Sequence, residues 1–311
     1  MRFAVMGAGG IGGYFGAMLA RAGREVHFIA RGQHLEAMRR EGLRIRSVAP
    51  GEFTVWNHFT DEPASVGPVD VVLFAVKSYH TEAAAEALVP QVEEDTAILT
   101  LQNGVDNEEK LAARFGRERV LGGAAYIFSI IAAPGVIAQT AGPRRIVFGE
   151  LAGGESARGR RLLEEFRACK VVAELSGDIW KELWTKFLFI CGLSGITAIA
   201  RATVGELRGN PGTRELLREV MEEVHRVGLA RGVRLDADAV EKSMGLVDGL
   251  QPAMTSSLAY DLEHGKRLEV EALFGTVSRY GREAGVPTPA NDFLCRVLAL
   301  EEEKRRKAGG A

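Results

Sequence analysis

The first dozen residues constrain this chain more than any other stretch. Residues 3–6 form a continuous apolar run, and Gly7-Ala8-Gly9-Gly10-Ile11-Gly12 follows it directly. A short, unbroken apolar run reads as a strand buried on both faces. Residues 12–22 then have helical composition. Glycines at this spacing between strand and helix each have a mechanical reason. Gly7 permits a tight turn, Gly9 lets backbone approach a pyrophosphate, and Gly12 lets helix and strand pack closely. The helix N-terminus offers free N–H groups and a positive dipole end. Gly7, Ala8, Gly9, Gly10, Ile11 and Gly12 are therefore expected to hold a dinucleotide. A plain glycine turn is the alternative, and a second strand at 26–30 argues against it.

That second strand bears on which dinucleotide. An NAD site usually places Asp or Glu about 20 residues on, against the ribose 2′-hydroxyl. Here the strand ends Phe28-Ile29-Ala30-Arg31, with a guanidinium where the acid would stand. Arginine suits a 2′-phosphate by charge and by bidentate geometry, so NADPH/NADP+ is the expected cofactor. An ordinary surface arginine is the other reading of Arg31. Further strands at 69–76 and 97–101 end in Lys77 and in Gln102-Asn103-Gly104. Ligands of open α/β sheets bind outside the carboxyl ends of strands, which makes Lys77 and Asn103 cofactor candidates. Taken singly, Lys77 also reads as a solvated loop charge and Asn103-Gly104 as a turn.

The pattern continues with a strand at 120–126 and helices including 81–89. Strands at 136–140 and 145–150 read as a hairpin around Gly142-Pro143, followed by a helix at 156–168 and a strand at 171–175. Strand signals then nearly vanish. Helical periodicity runs through 178–198, 213–232, 237–245, 254–264, 269–284 and 291–307, with 301–311 expected to fray into a loose tail. The fold class expected is an α/β, Rossmann-like N-terminal domain with a mostly parallel sheet (1–175) and an all-α C-terminal domain (176–311), the first NADP-binding and the second carrying substrate and catalysis.

Composition excludes several classes. Lys+Arg 39 against Asp+Glu 41 leaves a net charge of −2, unlike a dedicated nucleic-acid binder. The 3 cysteines lie far apart without metal-ligand or disulfide spacing, as suits a reducing compartment, and no metal is expected. No uninterrupted run of 18 apolar residues occurs and no signal-peptide pattern opens the chain, so a cytoplasmic protein without a membrane span is expected. Apolar helix faces in the second domain leave a homodimer open.

Within 178–198, Asp178, Lys181, Glu182 and Thr185 share a polar face, whereas Lys186 falls in a stripe with Ile179, Leu183, Ile190 and Thr197. A lysine in apolar surroundings loses hydration, which favours proton transfer near neutral pH. On periodicity alone the plainer reading is a lysine that snorkels to solvent.

Taken together, these residues resemble the ketopantoate reductase (2-dehydropantoate 2-reductase) family. The resemblance rests on Gly7–Gly12, Arg31, Val76-Lys77, Gln102-Asn103-Gly104 and Trp184-x-Lys186. Gly205-Glu206-Leu207, Ser256-Ser257-x-x-x-Asp261 and Gly265-Lys266-Arg267-Leu268-Glu269 complete it. It implies NADPH-dependent reduction of a 2-oxo acid to a 2-hydroxy acid. It also implies Lys186 as proton donor, Glu269 against cofactor and lysine, Asn103 between cofactor and substrate, and Ser257 on the substrate. Glu269 and Glu271 read equally as acids at a helix start, and Ser256 and Ser257 as structural hydroxyls. Where members acting on ketopantoate often carry asparagines, this chain has Ile190, Ser194 and Val204. Ser194 remains as a substrate-binding hydroxyl, and the acid reduced stays open. A related β-hydroxyacid or glycerol-3-phosphate-type dehydrogenase, or a non-catalytic NADPH sensor, are the other readings.

Overall fold

A computed structural model describes residues 1–307. The part of the expected C-terminal tail beyond 307 lies outside the described residues. Packing divides the chain into two units, Met1–Gln102 with Asp106–Glu182, and Asn103–Val105 with Leu183–Ala311. The first is α/β and the second is helical.

The first unit is built on one ten-stranded sheet. Its strands are β1 (Arg2–Met6), β2 (Glu25–Ile29), β3 (Leu43–Ser47), β4 (Gly51–Val55), β5 (His58–Thr60), β6 (Val71–Phe74), β7 (Ala97–Thr100), β8 (Val120–Ala133), β9 (Val136–Glu150) and β10 (Val172–Leu175). They lie in the order β4-β3-β9-β8-β7-β6-β1-β2-β5, with β10 added beside β9. From β8 through β5 every pairing is parallel. The strands β6 and β7 are buried along their whole length, which explains their unbroken runs of Val, Leu, Ile and Phe. Strand order reverses at β1, with β2 on one side and β6 on the other, so a crevice opens beyond the carboxyl end of β1.

Helices α1 (Gly10–Arg21), α2 (Gly32–Glu41), α3 (Thr81–Leu88), α4 (Asn107–Phe115) and α5 (Ala157–Ala168) accompany the sheet. The glycines of α1 let it lie hard on the strands. A Cβ at Gly16 would sit 2.7 Å from the side chains of both Phe28 and Val5.

One expectation needs correction. Residues 136–140 and 145–150 are not two arms of a hairpin turning at Gly142-Pro143. They are one strand, β9, antiparallel to a similarly long β8, and the reversal lies at Pro134-Gly135. Gly142 (φ 85) and Arg144 (φ 54) take left-handed backbone there, and the β8–β9 register shifts between Tyr126 and Ser129. The glycine–proline pair thus makes a bulge, since Pro cannot donate to the ladder and Gly absorbs the extra residue.

The helical unit holds most of α6 (Ile179–Ala200), then α7 (Val204–Gly209), α8 (Pro211–Ala230), α9 (Ala239–Gly249), α10 (Ser257–Glu263), a π-helical turn Glu271–Gly275, α11 (Thr276–Ala284) and α12 (Pro289–Lys307). Expected helix 254–264 starts later, because the preceding segment pairs with α7. Val204 N–H donates to Met254 O and Gly205 N–H to Pro252 O. By length and apolar composition α6 could cross a membrane, but most of it is buried in the protein, as for a core helix. Gly192 and Gly195 bring it against Met221 of α8 and against Phe274 and Leu294. At the start of α12, buried Glu223 accepts hydrogen bonds from Ala290 N (2.9 Å), Asn291 N (2.9 Å) and Asn291 Nδ2 (2.8 Å), satisfying groups that a helix start leaves open.

Candidate active site

The glycine loop has the shape its sequence calls for. Gly7 has φ 97, and a Cβ there would meet Val76 N at 2.8 Å. At Gly12 a Cβ would lie 2.2 Å from Gly7 O and 2.9 Å from Val5 Cγ1, and at Gly10 it would lie 2.3 Å from Ser129 O. Gly9 differs, since nothing stands within 4 Å of its Cβ position. It is the N-cap of α1, with no side chain to occupy the helix start. Three glycines are thus filled in by protein, and the fourth borders open space at a helix N-terminus. Those features fit a pyrophosphate.

Hydrogen bonds hold this loop. Gly7 N and Ala8 N both donate to Ile29 O, at 3.1 and 3.2 Å. His34 adds a support that the sequence offered no sign of, because its partners lie 26 and 101 residues away. Gly135 N–H donates to His34 Nδ1 (3.0 Å), which leaves Nε2 to donate to Ala8 O (2.9 Å). The neutral ring satisfies both, and burial holds its pKa below the ordinary value.

Arg31 follows β2 as the exposed N-cap of α2. Its charge helps hold the Asp61 carboxyl below the usual range, after the stronger effect of the Arg39 hydrogen bond. Lys77 is half-buried just past β6. Buried Gln102 ties the ends of β6 and β7 together, donating to Val76 O (3.0 Å) and Thr81 Oγ1 (2.8 Å). Asn103 and Gly104 (φ 107) come next.

In the helical unit, Lys186 and Asn103 meet. Lys186 Nζ donates to Asn103 Oδ1 at 3.0 Å, and both residues are half-buried. Neighbours Leu183, Trp184, Phe187 and Leu188 are buried, so the ammonium stands on the less covered side of a core helix. Glu269 is 8% exposed, just before the π-helical turn. Ser194, at 4%, lies two turns along α6 from Lys186. Ser257 is exposed as the first residue of α10, whereas Ser256 is its cap, accepting from Ala259 N and bonded to Thr197 Oγ1 at 2.7 Å. Of the remaining polar positions, Glu206 closes a capping box with Thr203 at the start of α7.

The ketopantoate reductase PanE/ApbA family pattern matches residues 3–153, and its C-terminal partner matches residues 178–302. The chain belongs to this family. It is 34% identical over 298 residues to a 2-dehydropantoate 2-reductase of Archaeoglobus fulgidus, covering 96% of each chain. It is also 31% identical over 308 residues to an uncharacterised oxidoreductase of Bacillus subtilis, covering 98% of this chain and all of that one. Among solved structures, a PanE/ApbA family ketopantoate reductase from Ralstonia eutropha superposes with a TM-score of 0.91 at 35% identity, over 98% of this chain and 100% of that one. The protein is an oxidoreductase that uses a nicotinamide cofactor.

Proposed function

We propose that the protein reduces a 2-oxo acid to a 2-hydroxy acid with NADPH, with 2-dehydropantoate as the first candidate, and that Lys186 supplies the proton. The observation that carries this reading is the 3.0 Å hydrogen bond between Lys186 Nζ and Asn103 Oδ1. It fixes an ammonium on Asn103, three residues along the chain from Thr100, the last residue of β7. The α/β domain would take the cofactor on Gly7–Gly12, Arg31 and Lys77, and the helical domain the substrate.

When bound, the reduced nicotinamide supplies a hydride to the keto carbon. Negative charge then grows on the carbonyl oxygen. Lys186 stabilises that oxygen through its charge and passes a proton to it, within hydrogen-bond reach. Asn103 holds the ammonium in place through its side-chain carbonyl. Glu269 is the carboxylate that balances the charge, and Ser194 and Ser257 are hydroxyls for substrate.

A second reading of the substrate has its own observation. On the α6 face that carries Lys186, the residue one turn on is Ile190 and Ser194 is buried, and Val204, the first residue of α7, is fully buried. A face of this kind favours a 2-oxo acid with an apolar body over one with a hydroxyl to be bound. Turnover of a panel of 2-oxo acids with NADPH decides between them. Ketopantoate should lead on the first reading, and unhydroxylated branched or aromatic acids on the second. Absence of turnover with every acid would point instead to a cofactor sensor. Exposed Leu229, Leu246, Phe293 and Leu300 keep a homodimer within the proposal.

A further inference from the structure

Away from the glycine loop, the α/β unit contains a cleft of about 600 Å³, within the usual range for small-molecule sites. It is lined by the later turns of α1 (Tyr14, Phe15, Met18, Arg21), by Arg144 of the β9 bulge, and by residues 168–172 at the end of α5. The lining is largely apolar, with Tyr14, Phe15 and Val171 buried behind it and Ala22, Ala49, Pro50 and Val172 more open. Around it stand three cations, Arg21, Arg144 and Lys170, and no acidic side chain lines the cleft.

None of the three forms an ion pair among the described residues. Arg21 donates only to Pro50 O (3.3 Å) and lies over the Phe53 ring, and Arg144 donates to its own neighbour Gly142 O (3.2 Å). Elsewhere, arginines such as Arg2, Arg24, Arg39 and Arg158 are paired with carboxylates. A near-neutral protein has concentrated unneutralised positive charge around one apolar recess.

Backbone conformation makes the same point independently. Non-glycine residues with positive φ are uncommon and disfavoured. Among the described residues three occur, Arg144 (φ 54), Lys170 (φ 57) and Arg201 (φ 51), and the first two line this cleft. Lys170 occupies the left-handed position after the end of α5, where glycine is the unstrained choice. At both places a long cation stands where a glycine would hold the turn more easily. Strain kept at a cavity points to a use for the side chain.

We infer that this cleft binds an amphipathic anion, a carboxylate or phosphate head on a hydrocarbon body, at a site separate from the glycine loop. The head lies among Arg21, Arg144 and Lys170, and the body rests on the open apolar lining of Ala22, Ala49, Pro50 and Val172. The shared chemistry fits an acyl carboxylate or an alkyl phosphate, and bidentate arginine geometry suits either head.

The test is calorimetric titration of the whole protein with octyl phosphate, octanoate, octanol and inorganic phosphate. A single octyl phosphate or octanoate should bind per chain, with octanol and inorganic phosphate each at least about tenfold weaker. The double variant Arg144→Gly, Lys170→Gly relieves the backbone, so its melting temperature should hold or rise while affinity for the anions falls by about tenfold or more. Raised salt should weaken binding to the wild type more than to the variant. Equal binding of octanol and octyl phosphate, no binding of either anion, or unchanged anion affinity in a folded double variant would each overturn the assignment.

Discussion

Two glycines of the same loop should separate folding from cofactor binding. In Gly12→Ala the new Cβ would stand 2.2 Å from Gly7 O, against backbone already held at φ 97. Neither atom can move without shifting α1 away from β1. Overpacking of this kind costs about 1–3 kcal/mol, and the better helix propensity of alanine returns up to about 1 kcal/mol. With a backbone atom as obstacle, the upper part of that range applies. A net loss of about 2 kcal/mol lowers the melting temperature by roughly 4–8 °C for a unit of this size. In Gly9→Ala the Cβ meets nothing within 4 Å, and backbone at φ −79 accepts alanine. Its melting temperature should stay at the wild-type value. The methyl group would nonetheless fill the space assigned to the pyrophosphate, and displacing it by about 2 kcal/mol weakens NADPH binding roughly thirtyfold. Thermal unfolding and a fluorescence titration with NADPH measure the two effects on the same samples. Wild-type NADPH affinity in Gly9→Ala would refute the pyrophosphate assignment. Wild-type stability in Gly12→Ala would refute the packing argument.

Other consequences concern charge and support. Arg31→Ala should raise the Michaelis constant for NADPH by about ten- to a hundredfold and leave that for NADH nearly unchanged, because only the 2′-phosphate loses a partner; equal effects on both would remove Arg31 from the site. For His34, the buried ring has a pKa below its ordinary 6.5, so the unfolded chain takes up the proton first. Stability from this group is therefore complete above pH 6.5 and declines as pH falls below it. His34→Gln, which can keep both hydrogen bonds, should flatten the fall in melting temperature between neutral and mildly acid pH. An unchanged slope would show that another group sets it. Glu223→Ala strips three hydrogen bonds from the start of α12, and should cost about 3–5 kcal/mol in urea unfolding. A loss below about 1 kcal/mol would show that water replaces the carboxylate.

Much of the sheet was legible because β1, β6 and β7 are buried on both faces and consist of apolar runs. The segment 32–60 was not. Helix α2 buries only Leu35, Ala37 and Met38, and β3 alternates Leu43 and Ile45 with exposed Arg44 and Arg46 over too few residues to establish a period. The long β8–β9 pair has the sequence of a hairpin turning at Gly142-Pro143, because a turn and a bulge use the same glycine–proline chemistry. Within the site, Gly7, Gly9 and Gly12 could be read because their spacing between strand and helix is a local pattern, although the atom closest to a Cβ at Gly7 belongs to the distant Val76. Lys186 could not be separated from a snorkelling lysine by periodicity, since its partner Asn103 lies 83 residues away. His34 was invisible for the same reason.

Oxidation of NADPH by saturating 2-oxo acid, compared between wild type and Lys186→Ala, tests the central claim most directly. The substitution should lower kcat by about 10²–10⁴-fold while NADPH still binds, because a general acid acts on the transition state and not on the cofactor. A Lys186→Ala protein that reduces its 2-oxo acid at the wild-type rate would contradict the account.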